Sequence, residues 1–300
     1  MKTSILIPTY NASQHLEMLL MALRSQSLKD VEILIIDSSS HDKTIEIAKA
    51  FDVPVHTICK KQFDHGGTRT IVGKLATGDI LVYLTQDALP RDSRAVESLI
   101  QPLLLEQKCG AVFGRQIPYQ DATPFAQHLR LFNYPSQSYI HTYADRVTQG
   151  IRAAFCSNSF AAYRRDALEE VGWFAKNLLL AEDLHVCARM LKEGYTLQYI
   201  AEAVVYHSHN YTMAQEFKRY FDLGVFFEKE RWLLDEFGRP EGQGAQFVRS
   251  EFSYLRSQGL LHLIPISLIR AGAKLIGYRL GHHYRHLPRA VLRHVSMHST

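Results

Sequence analysis

The 300-residue sequence lacks any apolar run long enough to cross a bilayer and any recognisable targeting segment. A membrane-spanning helix needs roughly 18 or more consecutive apolar residues. The first residues do not resemble a signal peptide, because Lys2 leads into a short strand-like stretch, Ser4–Ile7, that ends at Pro8. We therefore expect a cytoplasmic protein.

Cysteine is scarce, and two common phosphate-binding motifs are missing. The four cysteines, Cys59, Cys109, Cys156 and Cys187, are scattered without a C-x-x-C pair. This pattern favours reduced thiols over a disulfide or zinc framework. No G-x-G-x-x-G follows the first predicted strand and there is no P-loop, which argues against a dehydrogenase and a P-loop enzyme.

Acidic residues are absent after Glu251. The segment beyond it carries seven basic residues: Arg256, Arg270, Lys274, Arg279, Arg285, Arg289 and Arg293. The whole chain has a net charge of +4, so this tail is +7 and the rest of the chain is −3. The asymmetry predicts that the C-terminal end meets an anionic partner.

Strand-like and helix-like segments alternate through the first part of the chain, which predicts an α/β fold with a mainly parallel sheet. The predicted strands are Ser4–Ile7, Val31–Ile36, Val55–Ile58, Ile80–Leu84 and Gly110–Arg115. The predicted helices are His15–Ser25, Thr44–Phe51, Gly67–Ala76 and Arg91–Leu105. Residues 116–150 are irregular and aromatic, and are either a binding loop or short helices with a packed aromatic face.

The second part of the chain is predicted to be more helical. Helices are expected at Asp166–Val171, Ala181–Lys192, Met213–Phe237 and Gln246–Ser257, with short strands at Thr196–Ile200 and Ala203–Tyr206 and a break at Gly238–Gly242. From Gly259 an apolar run passes into a basic, His-rich stretch. This stretch is either an interfacial helix over anionic lipid or a terminal helical hairpin packed on the protein.

Polar clusters follow three predicted strands, at Pro8–Asn11, Asp37–Ser40 and Thr85–Asp87. Ligands of open α/β sheets bind beyond the carboxyl ends of the strands, so these clusters could line one crevice. Asp87 is a candidate ligand for a divalent cation on a substrate phosphate. Its alternative role is to start a turn or cap the next helix.

Three further motifs contain candidate functional groups. In Phe63–Arg69 a pair of glycines permits close approach to a ligand or opens an anion-binding helix, although an ordinary helix N-terminus is the alternative. Glu182 and Asp183 begin a predicted helix, where one is a general base or both favour the helix dipole. His207 at a strand exit is either a metal ligand or structural, and His209 is the alternative ligand.

Four motifs occur in a fixed order along the chain: Pro8–Asn11, Asp37–Ser40, an acid after the central strand, and Glu182-Asp183. This ordered set resembles that of inverting family 2 glycosyltransferases of the GT-A fold. Three further motifs are similar to those of the bacterial rhamnosyltransferase branch of this family: Phe63–Arg69, Thr85–Ala88 and Leu223–Phe226. Enzymes of that branch use dTDP-L-rhamnose in the synthesis of O-antigen and other polysaccharides. The resemblance covers residues 1–210 as a nucleotide-sugar-binding and catalytic domain, followed by a helical region over 211–300. The chain departs from the usual D-x-D pattern, since Thr85 occupies the place of the first acid.

The resemblance implies a role for each cluster. The nucleotide-sugar site would comprise Pro8, Thr9, Tyr10, Asn11, Asp37, Ser39, Asp64, His65, Gly66, Thr68, Arg69, Gln86 and Asp87. Within this set, Asp37 would accept the base N3–H, and Asp64 to Arg69 would bind ribose, diphosphate or sugar. Asp87 with His207 would bind Mg²⁺ or Mn²⁺.

The resemblance also implies a catalytic base and an acceptor site. Asp183 would deprotonate the acceptor hydroxyl, and one direct displacement would invert the anomeric centre. Glu182, Asn158 and Trp173 would bind the acceptor, although Trp173 is equally suited to the core. The acceptor would be a lipid-linked saccharide at the inner membrane face, reached through the basic tail, and a homodimer is compatible with the sequence.

Other functions fit the sequence less well. A transferase for another UDP- or dTDP-sugar would share the fold and the mechanism. A sugar nucleotidyltransferase would need a Gly- and Arg/Lys-rich loop after the first strand, which Pro8–Asn11 does not provide. A non-catalytic sugar-binding scaffold at the membrane would not need the acids and His207, and nucleic-acid binding lacks a recognition motif.

Overall fold

The computed structural model describes residues 1–238 and 242–298. The strands are β1 (Thr3–Thr9), β2 (Glu32–Asp37), β3 (Val55–Thr57), β4 (Ile80–Leu84), β5 (Leu89–Pro90), β6 (Cys109–Ile117), β7 (Tyr139–His141), β8 (Phe160–Arg164) and β9 (Thr196–Tyr206). The helices of the first half are α1 (Leu16–Arg24), α2 (Thr44–Ala50), α3 (His65–Leu75), α4 (Ala95–Leu105), α5 (Pro124–Asn133) and α6 (Arg146–Gln149). The later helices are α7 (Arg165–Glu170), α8 (Glu182–Lys192), α9 (Met213–Lys229), α10 (Arg231–Phe237), α11 (Gln243–Ser257), α12 (Ile264–His282) and α13 (Arg289–Val295).

The first four strands form the predicted parallel unit. β1 pairs in parallel with both β2 and β4, and β2 pairs in parallel with β3. The central strands β1 and β4 are buried on both faces, which explains why they are nearly continuous apolar runs in the sequence. The carboxyl ends of the four strands therefore meet at one edge of the sheet.

The rest of the sheet is mixed. The strand order is β3-β2-β1-β4-β8-β6-β9-β5, with β7 also paired to β9. β8 is antiparallel to both β4 and β6, whereas β6 and β9 are parallel. β8 was not predicted, because two alanines in its five residues weaken its strand signal. β9 was predicted as two separate strands and is continuous over Thr196–Tyr206.

Two hydrophobic cores lie on opposite faces of the sheet. Alternate residues of β1 belong to different cores. Ile5 and Ile7 lie in the core beneath α1 and α4, and Leu6 lies in the core beneath α3 and α8. This alternation follows from the two-residue period of a strand. The chain therefore has the helix–sheet–helix layering of an α/β fold.

The long helix predicted over Met213–Phe237 is two helices, α9 and α10, separated at Glu230. The carboxylate of Glu230 lies 3.2 Å from His185 Nε2 and accepts a hydrogen bond of 3.1 Å from Trp232 Nε1. These contacts fix the interruption against α8. The predicted break at Gly238–Gly242 includes residues 239–241, which lie outside the described residues.

The C-terminal helices pack on the rest of the protein. A Cβ added to Gly277 or Gly281 of α12 would overlap the backbone of α9, so glycine permits this close helix pairing. Phe226 of α9 and Leu233 of α10 belong to the same core as α3 and α8. The division of the chain at residue 210 stays a prediction.

Candidate active site

The exits of β1 and β4 are joined by a reciprocal pair of hydrogen bonds. The backbone N–H of Tyr10 donates to Gln86 Oε1 over 2.8 Å, and Gln86 Nε2 donates to the carbonyl of Tyr10 over 3.2 Å. Two of the predicted donor-site clusters therefore lie side by side. Gln86 fixes the backbone of the Pro8–Asn11 cluster.

Asp37 at the end of β2 is fully buried. Its carboxylate accepts hydrogen bonds from the Thr9 hydroxyl at 2.8 Å and from the Ser40 hydroxyl and backbone N–H at 2.6 and 2.8 Å. These contacts tie the β1 and β2 exits together. Recognition of the base by Asp37 stays a prediction.

The outer part of this cluster is held by backbone geometry. Asn11 and Ser39 both have positive φ, at 49° and 61°. The Asn11 N–H donates to Ser40 Oγ over 2.8 Å, and the Ser39 hydroxyl donates to the Ile58 carbonyl over 2.8 Å. These bonds stabilise turns that non-glycine residues adopt rarely.

A cation that sequence reasoning missed lies beside Tyr10. Lys60 Nζ donates to the Tyr10 hydroxyl over 2.6 Å and lies 4.4 Å from the centre of its ring. Lys60 is exposed, so it is accessible to a ligand at this edge. The Lys60-Lys61 pair just before the Phe63–Arg69 motif was a usable signal.

The N-terminus of α3 is capped by Asp64, which also ties it to a neighbouring loop. One carboxylate oxygen accepts the N–H of Gly67 at 2.5 Å, and the other accepts the N–H of Asn177 at 2.8 Å. The Asp64 N–H donates to Thr68 Oγ1 over 3.3 Å, and a Cβ on Gly66 would overlap the Ala175 carbonyl. The contacts seen for Asp64, Gly66 and Thr68 are thus structural.

Arg69 and Glu182 bring α3 and α8 together at a buried ion pair. The guanidinium lies 3.1 Å from the carboxylate, and it also donates to the His65 carbonyl over 3.0 Å. Burial alone would raise the pKa of Glu182, but the charge of Arg69 lowers it below its usual value. Glu182 is therefore an anion beside Asp183.

Asp183 has the properties of a general base. Its carboxylate accepts the backbone N–H groups of Asn158 at 3.0 Å and Leu184 at 2.8 Å. Desolvation and the adjacent charge of Glu182 raise the pKa of Asp183 to about 6. A carboxylate with this pKa binds protons near neutral pH far better than an ordinary aspartate.

Asn158 positions both carboxylates. Its side-chain amide donates to Glu182 Oε1 over 3.0 Å, while its Oδ1 accepts the Tyr163 hydroxyl at 2.8 Å. Asn158 is 2% exposed. We therefore assign it to holding Glu182 and Asp183 rather than to direct contact with an acceptor.

Trp173 lies in the hydrophobic core and is 7% exposed. A sugar ring needs an open aromatic face on which to stack, and this indole does not present one. The structure favours the core role that the sequence analysis left open. We leave Trp173 out of the acceptor site.

Asp87, His207 and His209 form a cluster with the composition of a metal site. One ligand atom from each lies within 4.8 Å of those of the other two. His207 Nε2 is 3.5 Å from Asp87 Oδ1, and His209 Nδ1 is 3.8 Å from Asp87 Oδ2. Sequence reasoning placed Asp87 and His207 in this site and left the choice between His207 and His209 open.

Gln116, which sequence reasoning missed, sets the orientation of His207. Its Oε1 accepts from Arg130 at 2.6 Å and lies 2.8 Å from His207 Nδ1. Arg130 can only donate, so this Oε1 is an acceptor and His207 Nδ1 carries the hydrogen. The lone pair of Nε2 then faces Asp87.

This donor set fits a divalent cation. Burial lowers the pKa of His207, and burial together with His207 lowers that of His209 to about 4, so both rings are neutral at physiological pH. A cation bound between the Asp87 carboxylate and the two imidazoles would have both oxygen and nitrogen ligands.

Three consecutive residues connect the histidine cluster to the carboxylate pair. The Ser157 hydroxyl accepts from Gln116 Nε2 at 2.9 Å, and the Ser159 carbonyl accepts the N–H of Thr85 at 3.3 Å. Between them, Asn158 contacts both Glu182 and Asp183. The metal-type cluster and the candidate base therefore belong to one site.

Comparison with known proteins identifies the family. The family model described as glycosyl transferase family 2 matches residues 4–172, and that of glycosyl transferase family group 2 matches residues 93–269. The first match covers more than half of the chain. The chain belongs to glycosyl transferase family 2.

Two curated relatives of this glycosyltransferase match over nearly their full lengths. The O-antigen chain rhamnosyltransferase RfbN of Salmonella typhimurium is 42% identical over 306 residues, covering 100% of this chain and 96% of the relative. The O-antigen chain rhamnosyltransferase WbaN of Salmonella anatum is 40% identical over 299 residues, covering 99% and 94%.

Solved structures show the same fold. The mannosyltransferase PcManGT from Pyrobaculum calidifontis, in complex with GDP-Man and Mn²⁺, superposes with a TM-score of 0.60 at 17% identity, covering 98% of this chain and 84% of that one. S. aureus TarS 1-349 in complex with UDP-GlcNAc gives 0.52 at 14% identity, covering 95% and 92%. The glycosyltransferase has the predicted GT-A fold with a helical C-terminal extension.

Proposed function

We propose that this glycosyltransferase transfers L-rhamnose from dTDP-L-rhamnose to a lipid-linked saccharide during synthesis of a cell-surface polysaccharide. The donor assignment is supported by two relatives of 42% and 40% identity that are named O-antigen chain rhamnosyltransferases. The observation that carries the chemistry is the single site joining Asp183 to the Asp87–His207–His209 cluster through Ser157–Ser159.

Asp183 is the proposed base. With a pKa of about 6 it is ionised at neutral pH and able to take the proton of an attacking hydroxyl. Direct attack on the anomeric carbon, with loss of dTDP from the opposite face, would invert its configuration. Glu182, kept ionised by Arg69, would keep the pKa of Asp183 raised and help orient the acceptor.

Asp87, His207 and His209 would hold Mn²⁺ or Mg²⁺ on the donor diphosphate. A bound cation would offset the negative charge that develops on the leaving nucleoside diphosphate. The mixture of imidazole and carboxylate ligands favours Mn²⁺ over Mg²⁺, which prefers oxygen ligands. Lys60 beside Tyr10 would add a second positive charge near the nucleotide.

The outward face of α12 is the proposed contact with an anionic membrane. Leu268, Ile269, Leu275 and Ile276 are 53%, 59%, 52% and 57% exposed. The two adjacent pairs stand seven residues apart, about two helical turns, which places all four along one side of the helix. Within residues 1–238 and 242–298, no helix is both long and apolar enough to span a bilayer.

The charge of the C-terminal segment favours lipid as the partner of this face. Arg279, Arg285 and Arg293 are exposed, and no acidic residue follows Glu251. Arg270 and Lys274 instead form ion pairs within the protein, since both contact Glu216, at 2.9 and 3.2 Å. The side chain of Arg289 lies outside the described part of the chain. Such a surface would bring the site to a lipid-linked acceptor at the inner face of the membrane.

Calorimetry with dTDP-rhamnose, UDP-glucose and UDP-GlcNAc, each with Mn²⁺ and with EDTA, tests the donor. We expect metal-dependent binding of dTDP-rhamnose that weakens in Asp87→Ala and is unchanged in Asp235→Ala, a matched change at an exposed acid. Preference for a UDP-sugar would overturn the rhamnose assignment. Absence of binding to all three would overturn the proposed function.

A further inference from the structure

The C-terminal segment of the chain returns to the candidate active site after α13. The backbone N–H groups of Met297 and His298 donate to one carboxylate oxygen of Asp222, at 2.9 and 3.1 Å. Asp222 lies in α9 and is fully buried. A buried carboxylate is costly unless it is paired, so this contact fixes the position of His298.

The ring of His298 lies against His65, the first residue of α3. The two ring centres are 5.2 Å apart and the planes are nearly perpendicular, at 87°. The carbonyl of His65 accepts from Arg69, whose guanidinium pairs with Glu182. His298 therefore contacts His65, whose carbonyl contacts the buried Arg69–Glu182 pair next to the candidate base.

The two imidazoles are suited to an uncharged ligand. Burial lowers the pKa of His65 to about 4 and also lowers the pKa of His298. A neutral imidazole has one N–H donor and one acceptor nitrogen, which suits a sugar hydroxyl better than a phosphate. His65 Nε2 is buried, and no residue in the described ranges bonds to it.

We propose that Ser296–His298 forms one wall of the donor-sugar pocket and that His298 hydrogen-bonds a hydroxyl of the transferred sugar. This inference rests on the proposed function, in which Asp183, next to the Arg69–Glu182 pair, deprotonates the hydroxyl that attacks the transferred sugar. Ser296–His298 would then recognise the sugar of the donor rather than its nucleotide. His65 would then supply a second hydrogen-bonding group to the same ring.

Separate affinities for dTDP-rhamnose and for dTDP test this assignment. Loss of one hydrogen bond should weaken dTDP-rhamnose binding to His298→Ala by roughly threefold to tenfold. Binding of dTDP should not change, because dTDP lacks the transferred rhamnose. His298→Gln retains a donor and an acceptor and should recover part of the affinity. A chain ending at His298, which lacks residues 299–300 alone, serves as a control and should bind both ligands normally.

Two results would overturn the inference. Equal weakening of both ligands in His298→Ala would show a structural role, and unchanged affinity for both would show no contact. Thermal unfolding of each variant separates loss of fold from loss of contact. If the unmodified protein binds no nucleotide sugar, the proposed function fails first, so the two failures are distinguishable.

Discussion

The guanidinium of Arg69 lies 3.1 Å from the carboxylate of Glu182, and both side chains are more than nine-tenths buried. The two residues are distant in the sequence, and their contact joins the N-terminal parts of α3 and α8. It leaves Asp183 next to an anion, which helps raise the pKa of Asp183. One ion pair thus links the donor motif to the candidate base.

Arg69→Ala should destabilise the fold strongly. It leaves Glu182 as an uncompensated buried charge, and breaking a buried pair in this way costs about 3–5 kcal/mol. Chemical denaturation measures the change. Arg94→Ala is the matched control, because Arg94 and Glu97 pair at 3.5 Å with side chains 75% and 48% exposed. Such a surface pair should contribute less than about 1 kcal/mol to the free energy of unfolding. An equal loss of unfolding free energy in the two variants would contradict the account.

The rate of transfer should depend on the ionisation of Asp183. The base acts when deprotonated, and its pKa is raised to about 6. Activity should therefore be present at neutral pH and lost as pH falls through about 6, with kcat/KM decreasing about tenfold per pH unit below it. A profile that stays flat down to pH about 4, the pKa of an ordinary aspartate, would exclude this base.

Gln116→Leu should weaken metal binding without removing a ligand. The substitution removes the acceptor that fixes His207 Nδ1–H, so Nε2 no longer faces Asp87 in a defined way. Loss of such an outer contact typically costs about 10–100-fold in metal affinity. Titration with Mn²⁺, followed by electron paramagnetic resonance, measures it. Gln127→Leu is the control, because Gln127 accepts a hydrogen bond from the Tyr254 hydroxyl instead. Equal Mn²⁺ affinity in the two variants would contradict the role assigned to Gln116.

The double change Ile269→Glu and Ile276→Glu should abolish binding to anionic vesicles. It places two carboxylates on the exposed apolar face of α12, where they oppose both burial and charge attraction. Flotation with phosphatidylserine-containing and phosphatidylcholine vesicles measures the effect. Leu105→Glu on α4, at a side chain 75% exposed, is the control. Equal flotation of the double variant and the unmodified protein would rule out this face, and failure of the latter to float would rule out membrane contact.

The parallel half of the sheet and the polar clusters at its edge were predictable from sequence. Strands buried on both faces, such as Ile80–Leu84, are continuous apolar runs, and their exits are marked by Thr9, Asp37 and Asp87. The antiparallel β8 and the interruption at Glu230 were not predicted. Both depend on contacts with distant residues, which local patterns do not contain.

The candidate site was predictable as a set of residue types, but not in its internal contacts. Asp87 and His207 were singled out because each follows a strand. Gln116 and Arg130 were missed, because their importance comes from the orientation that they give to His207. Likewise, Asn158 was expected to bind acceptor, and only the fold shows its amide directed at Glu182.

The most direct test of the central claim is the rate of rhamnose transfer by the unmodified protein and by Asp183→Asn. The assay uses dTDP-rhamnose, Mn²⁺ and a lipid-linked saccharide, with donor affinity measured in parallel. The account predicts transfer by the unmodified protein, and a loss of about 10²–10⁴-fold in kcat in the variant with donor affinity retained. Transfer at a similar rate by Asp183→Asn would show that Asp183 is not the base.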